Sequence, residues 1–214
     1  WIDAVYRSGR REDARALLRD ALARWPADAE VWLLSGLVHR GTGRSQQAQH
    51  DFAQAAALAP QSEPAHLGLA RAWIALGEPR RAEAAYLALL AALPGSAAGR
   101  HGLARLRLDR RDFAAAEPDL RRVVEARPGD AGAGLDWARA LRGLGRRAES
   151  LAVLGKTFAR SAERDVGTQL FHQLREAGDR DGATEVLIRM DDPRASARTR
   201  TAIGLLHLAQ GDTE

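Results

Sequence analysis

Pro26, Pro60, Pro94 and Pro128 stand 34 residues apart, and no other feature of the chain restricts its fold as much. Proline lacks the backbone N–H and clashes with the preceding turn, so it cannot continue a helix. Four prolines at one interval cut the chain into equal units, and a repeat of this length fits two helices and two turns. With each proline counted as position 32, Gly9, Gly43, Gly77 and Gly145 share position 15, Arg111 being the one exception. Gly178 and Gly211 continue that column at intervals of 33. Glycine after a helix takes the left-handed conformation that ends it. Each period therefore carries two stops, as a pair of helices requires.

Further columns describe how the pairs pack. Position 8 is small in Gly36, Ala70, Ala104 and Ala138, and position 20 is Ala14, Ala48, Ala82 and Ala116. Small residues at facing positions let two helix axes approach closely. Position 24, with Leu18, Phe52, Tyr86 and Leu120, supplies the side chain that fills the hollow they leave. The pattern predicts first helices over about 1–8, 29–42, 63–76, 97–110, 131–144, 164–177 and 195–210, with second helices between them. The unit from 131 is irregular, because Ala148 follows Gly145 two residues early and no proline closes its second helix. Its register is open, and the polar stretch Ser161 to Asp165 is expected to link it to the next unit. Asp191, Asp192 and Pro193 close the following one.

The most regular unit contains Trp32, Gly36, His39, Ala48, Phe52, Ala55 and Pro60. It resembles the tetratricopeptide repeat family, whose pattern has Trp, Gly, Ala, Phe, Ala and Pro at those spacings; His39 stands where the family usually has Tyr. The resemblance implies an all-α fold, a right-handed superhelical solenoid of antiparallel helix pairs. It covers 1–214 as a single array: a partial repeat over 1–28, repeats over about 29–62, 63–96, 97–130, 131–163 and 164–194, and a partial repeat over 195–214. Because both ends interrupt a repeat, the chain is expected to be a segment of a longer protein. An open stack leaves an apolar face, so Ile203, Leu206 and Leu208 are expected to meet another repeat, another domain or a second copy end to end.

Composition narrows the function classes. No apolar run approaches 18 residues, so no membrane span is expected in this segment. The absence of cysteine excludes disulfides and thiolate-ligated metals and is compatible with either bacterial cytoplasm or periplasm. Lys156 is the only lysine, and heavy use of Arg, Ala, Gly and Leu fits a GC-rich bacterial genome. There is no Gly-rich phosphate loop, no Gly-x-Ser-x-Gly elbow and no His-Glu-x-x-His helix, so catalysis, cofactors and metals are not expected. His39 and His207 fall at position 11, a packing column, and Trp25, Trp73 and Trp137 are assigned to core or helix ends rather than to a stacking platform. A formal charge of only +4, with no aromatics interleaved among the basic residues, argues against nucleic acid.

In the family resembled, first-helix positions 2, 5, 9, 12 and 13 line a concave groove. That likeness selects Leu33, Leu67 and His101 at position 5, Leu37, Arg71, Arg105, Arg139 and His172 at position 9, and Arg40, Arg142 and Arg175 at position 12. The groove then reads apolar at its N-terminal end and basic from the third unit onward. Arginine's planar fork suits carboxylates and phosphates, although Asp109 and Asp136 could instead engage the column internally. The Lys and Asn set with which some members clamp a chaperone tail is missing; position 6 carries Leu34, Gly68, Gly102 and Asp136, and the chain has no asparagine. The expected function is a non-catalytic scaffold whose groove binds a protein or peptide segment of acidic character. Two alternatives rest on family analogy: the scaffold of an envelope machine exporting an anionic polysaccharide, and a regulatory domain fused to a glycosyl- or sulfotransferase.

Overall fold

The structure, a computed structural model, describes residues 8–190. Among these are eleven helices and no strand: α1 (Arg11–Arg24), α2 (Ala29–Gly41), α3 (Ser45–Leu58), α4 (Glu63–Ala75), α5 (Pro79–Ala92), α6 (Ala97–Asp109), α7 (Phe113–Ala126), α8 (Ala131–Gly143), α9 (Arg147–Ser161), α10 (Arg164–Ala177) and α11 (Arg180–Met190). First helices α2, α4, α6, α8 and α10 fall where the period places them. The helices expected over 1–8 (apart from Ser8) and 195–210, and with them Asp191, Asp192, Pro193, Ile203, Leu206, His207 and Leu208, lie outside the described residues. The chain forms two compact units, 1–106 and 107–214, divided within α6.

The proline column works through its neighbours. Trp25, Ala59, Leu93 and Arg127, each just before a proline, leave the helical region with φ between −130° and −136°, because a following proline disfavours it. Two residues after each proline stands a helix cap. Asp28 accepts from Glu30 N at 2.8 Å, Ser62 from Ala65 N at 3.4 Å, Ser96 from Gly99 N at 2.8 Å and Asp130 from Ala133 N at 2.9 Å. Such caps contribute about 1 kcal/mol each. Position 4 then ties the turn down: Trp32 Nε1 donates to the Pro26 carbonyl at 2.8 Å, His66 Nε2 lies 3.0 Å from the Pro60 carbonyl, and Arg100 bonds the Pro94 carbonyl. One Pro-x-(Asp/Ser) triplet thus stops one helix and starts the next.

Position 15 ends the first helices. Gly43, Gly77, Gly145 and Gly178 have φ from +73° to +81°, and Gly43 N and Arg44 N bond back to Arg40 O and His39 O at 3.1 and 2.9 Å. This is the two-bond reversal that closes many helices. Arg111 adopts the same conformation at φ +60°, and Arg111 N and Asp112 N make the same two bonds, to Leu108 O and Arg107 O at 3.0 and 2.9 Å. The turn survives there at the cost of a left-handed backbone on a residue with a Cβ.

The irregular unit keeps its register. Ser150, not Ala148, takes position 20: it is fully buried, and Leu154 follows at position 24. Serine is small enough for the column, and its hydroxyl is satisfied inside. The lost residue comes later. Without a proline at position 32, α9 runs on to Ser161, and Ala162 turns the chain in the left-handed region at φ +51°. Only residues 162–163 then connect to α10, so the period shortens to 33, and most of the polar stretch expected as a link is helical. Trp25 stands at a helix end, as the C-cap of α1, and is 54% exposed.

In the first unit Ala14, Ala48 and Ala82 are completely buried. The Phe52 ring fits against Gly36 of its own pair and Gly68 of the next, where an added Cβ would come within 2.7 and 2.6 Å of it. Tyr86 lies likewise on Gly102, within a cluster of Ala70, Ala82, Leu103 and Leu106. In the second unit Leu120 and Leu154 are fully buried. Around Leu154 pack Ala138, Phe158, Val166 and Leu170.

Candidate functional site

In the first unit the selected residues stand on α2, α4 and α6. Leu33 and Leu37 are half-buried against Ala48, Phe52 and Ala72, and Leu67 packs on the Tyr86 cluster. These three leucines give much of their apolar surface to the core. Arg40, Arg71 and Arg105 are exposed, His101 is half-buried, and Ile74 is 45% exposed. Arg71 and Arg105 meet electrostatically at Tyr86: burial pushes its hydroxyl above the ordinary tyrosine range, and the two guanidiniums oppose that rise. His39 is held inside the pair, its Nδ1 2.6 Å from Oδ2 of buried Asp51, which also accepts from Ser35 Oγ at 2.6 Å. The tyrosine column is thus filled here by a polar network.

In the second unit, first helices α8 and α10 border a recess of about 670 Å³. Its apolar lining is Phe113, Leu135, Ala138, Gly143 and Leu154. Asp136, Arg139 and Arg142 line it from α8, and Asp165, Thr168, Gln169 and Gln173 from α10. With Leu135, these side chains come from positions 5, 6, 9 and 12 of one first helix and 2, 5, 6 and 10 of the next. Arg139 lies 3.5 Å from Asp109, and Arg142 lies 3.5 Å from Glu176. Both pairs are exposed and contribute little to stability. Arg175 stacks over Phe171 at 5.7 Å, and His172 meets the same ring edge-on at 5.4 Å. Gln173 is buried: its Oε1 lies 2.9 Å from Ser150 Oγ, which also reaches the Ala138 carbonyl at 3.0 Å.

A second cavity, of about 540 Å³, opens between α7, α8 and α9 and is walled by Val124, Trp137, Leu141 and Val153. Trp137 also donates from Nε1 to Glu117 at 3.2 Å. Among the described residues no group of three His, Cys, Asp or Glu side chains could hold a metal ion, and no helix is long and apolar enough to cross a membrane.

The arginine column therefore divides. Arg71 and Arg105 share the first unit and flank Tyr86; Arg139 and Arg142 share the second and each face a carboxylate. Sequence reasoning did not select Asp165, Gln169, Gln173 or Phe113. The first two fall at positions 2 and 6 of a first helix and were within reach of the column logic. Gln173 and Phe113 lie at positions 10 and 17 and carried no signal.

Sequence models of the tetratricopeptide repeat match residues 39–106 and 1–45. No curated protein sequence matches the chain. Among solved structures, the chain is similar to PilW, described as a widely conserved type IV pilus biogenesis factor, with 20% identity, 94% of each chain covered and a TM-score of 0.72. It is similar to PilF of Pseudomonas aeruginosa at 17% identity, covering 89% of this chain and 87% of that one, with a TM-score of 0.69. It also resembles YrrB, described as a TPR protein with an unusual peptide-binding site, at 16% identity over 91% and 97% of the two chains, with a TM-score of 0.65. Identities this low speak for the fold.

Proposed function

The chain belongs to the tetratricopeptide repeat family, and we propose that it is a non-catalytic interaction scaffold that binds a segment of a partner protein along its first helices. One observation carries this reading: Leu135, Arg139, Arg142, Gly143, Asp165 and Thr168, which line the recess of the second unit, stand at first-helix positions that face the groove in this family. A surface built by repetition suits an extended ligand, whose backbone and alternate side chains repeat as well. In the first unit Arg71 and Arg105 supply paired forks for acidic groups of the partner, with exposed Ile74 beside them as an apolar contact.

A phage-displayed library of twelve-residue random peptides, panned against the full chain, tests the reading. Bound peptides are expected to slow hydrogen exchange in α2, α4, α6, α8 and α10. The Arg71→Glu/Arg105→Glu pair weakens acidic peptides at least tenfold with helicity unchanged. If that pair leaves every affinity untouched while Leu87→Glu on exposed α5 abolishes binding, the partner sits on the second helices and the reading falls.

A further inference from the structure

We propose that the recess of the second unit receives an aromatic side chain of the bound segment, an inference that rests on the first helices being the binding face.

The first unit shows what such a place holds. There the Phe52 ring, at position 24, lies against Gly36 at position 8 of its own pair and Gly68 at position 6 of the next first helix, where an added Cβ would come within 2.7 and 2.6 Å of it. Tyr86 repeats the arrangement on Gly102. In the second unit the same three columns hold Leu154, Ala138 and Gln169, and all three line the recess of about 670 Å³. Leucine carries no ring to lay between the first helices. The chain thus supplies its own aromatic group in one unit and leaves room for a partner's in the other.

Charge points to a neutral occupant. Asp136 and Asp165 balance Arg139 and Arg142 in the lining, and each guanidinium already lies 3.5 Å from a carboxylate, of Asp109 and Glu176. A charged side chain entering there gives up hydration without meeting an excess of opposite charge. Leu135, Ala138 and Phe113 offer apolar surface instead.

Two contacts distinguish a ring from an aliphatic group of equal size. Half-buried Phe113 presents an aromatic partner for an edge-on or offset pair. Arg139 and Arg142, both exposed, can lay a guanidinium over the face of a ring while keeping their carboxylates. The same unit uses this contact twice, with Arg175 over Phe171 at 5.7 Å and Arg189 over Phe158 at 5.3 Å.

Three probes separate aromatic character from apolar bulk and from charge: N-acetyl-phenylalanine methylamide, its saturated analogue N-acetyl-cyclohexylalanine methylamide, and N-acetyl-glutamate methylamide, each titrated into the isotope-labelled full chain by NMR. The phenylalanine probe is expected to shift the amides of 135–143 and 165–173 and to bind at least threefold more tightly than cyclohexylalanine, with glutamate weakest. Gln169→Trp, at an exposed position in the lining, sets a ring of the chain's own beside the recess and is expected to weaken the phenylalanine probe at least fivefold with helicity unchanged. Equal or tighter binding of cyclohexylalanine, tighter binding of glutamate, no shift in these residues, or an unchanged affinity in Gln169→Trp overturns the proposal. Each of these outcomes leaves the first helices as the binding face, which the library peptides decide separately. Shifts confined to α7, α9 and α11 overturn both readings.

Discussion

The two units solve one packing problem in different ways. In the first, position 24 is aromatic, Phe52 and then Tyr86, and the next first helix offers glycine at position 6, Gly68 and Gly102. In the second, position 24 is leucine, Leu120 and Leu154, and position 6 keeps a polar side chain, Asp136 and Gln169. A ring needs the space a Cβ would occupy, whereas leucine stops short of it. Where the plug is short, the space between neighbouring first helices stays open, and the recess has Leu154 in its lining. The difference teaches that one column governs another: the residue that closes the core also decides whether the space beside the first helices is filled or hollow.

The largest effect that would break this comparison is on the plug itself. Phe52→Ala is expected to destabilise the first unit by about 3–5 kcal/mol, because Gly36 and Gly68 cannot close the void. Urea denaturation followed by circular dichroism, with hydrogen exchange over 45–75, measures it; a loss below 1 kcal/mol would mean the ring is not the organising residue. A smaller effect is expected for the reverse exchange. Leu154→Phe extends a fully buried side chain that borders the recess, so stability changes by less than about 1.5 kcal/mol. A large loss of stability would show the recess to be closed by packing. Smallest is Arg111→Gly, which relieves a left-handed backbone at the one exception in the glycine column. It is expected to add about 0.5–1 kcal/mol in the same denaturation experiment, and no gain would mean that the turn accommodates the side chain without strain.

Much of the fold was legible because its stops are local. Pro26 and its equivalents act on the residue before them, Asp28 and its equivalents on the helix after them, and Gly43 on its own backbone. None of these needs a distant partner. The site was only partly legible. The column rule found Arg139 and Arg142 and pointed to Asp109 as an internal partner, but the approach of Glu176 to Arg142 depends on where the neighbouring helix brings a carboxylate, and a one-dimensional pattern does not contain that. Gln173 was invisible because a glutamine on a helix has no periodic signature. Ala148 misled because its composition matched the column while its spacing did not, and Ser150 kept the spacing with a different small residue.

The period, the helix stops, the small and large columns and hence the all-α repeat fold were determined by the sequence alone, since each follows from the backbone and steric preferences of single residues repeated 34 apart. Tertiary structure decided the rest. It moved the shortening of the period from Gly145 to Ala162, brought Arg71 and Arg105 within electrostatic reach of Tyr86, and set Arg139 and Arg142 each beside a carboxylate. The reason is physical: local preferences act within a turn or two of chain, whereas charge balance and empty volume are properties of side chains that meet only after helices pack.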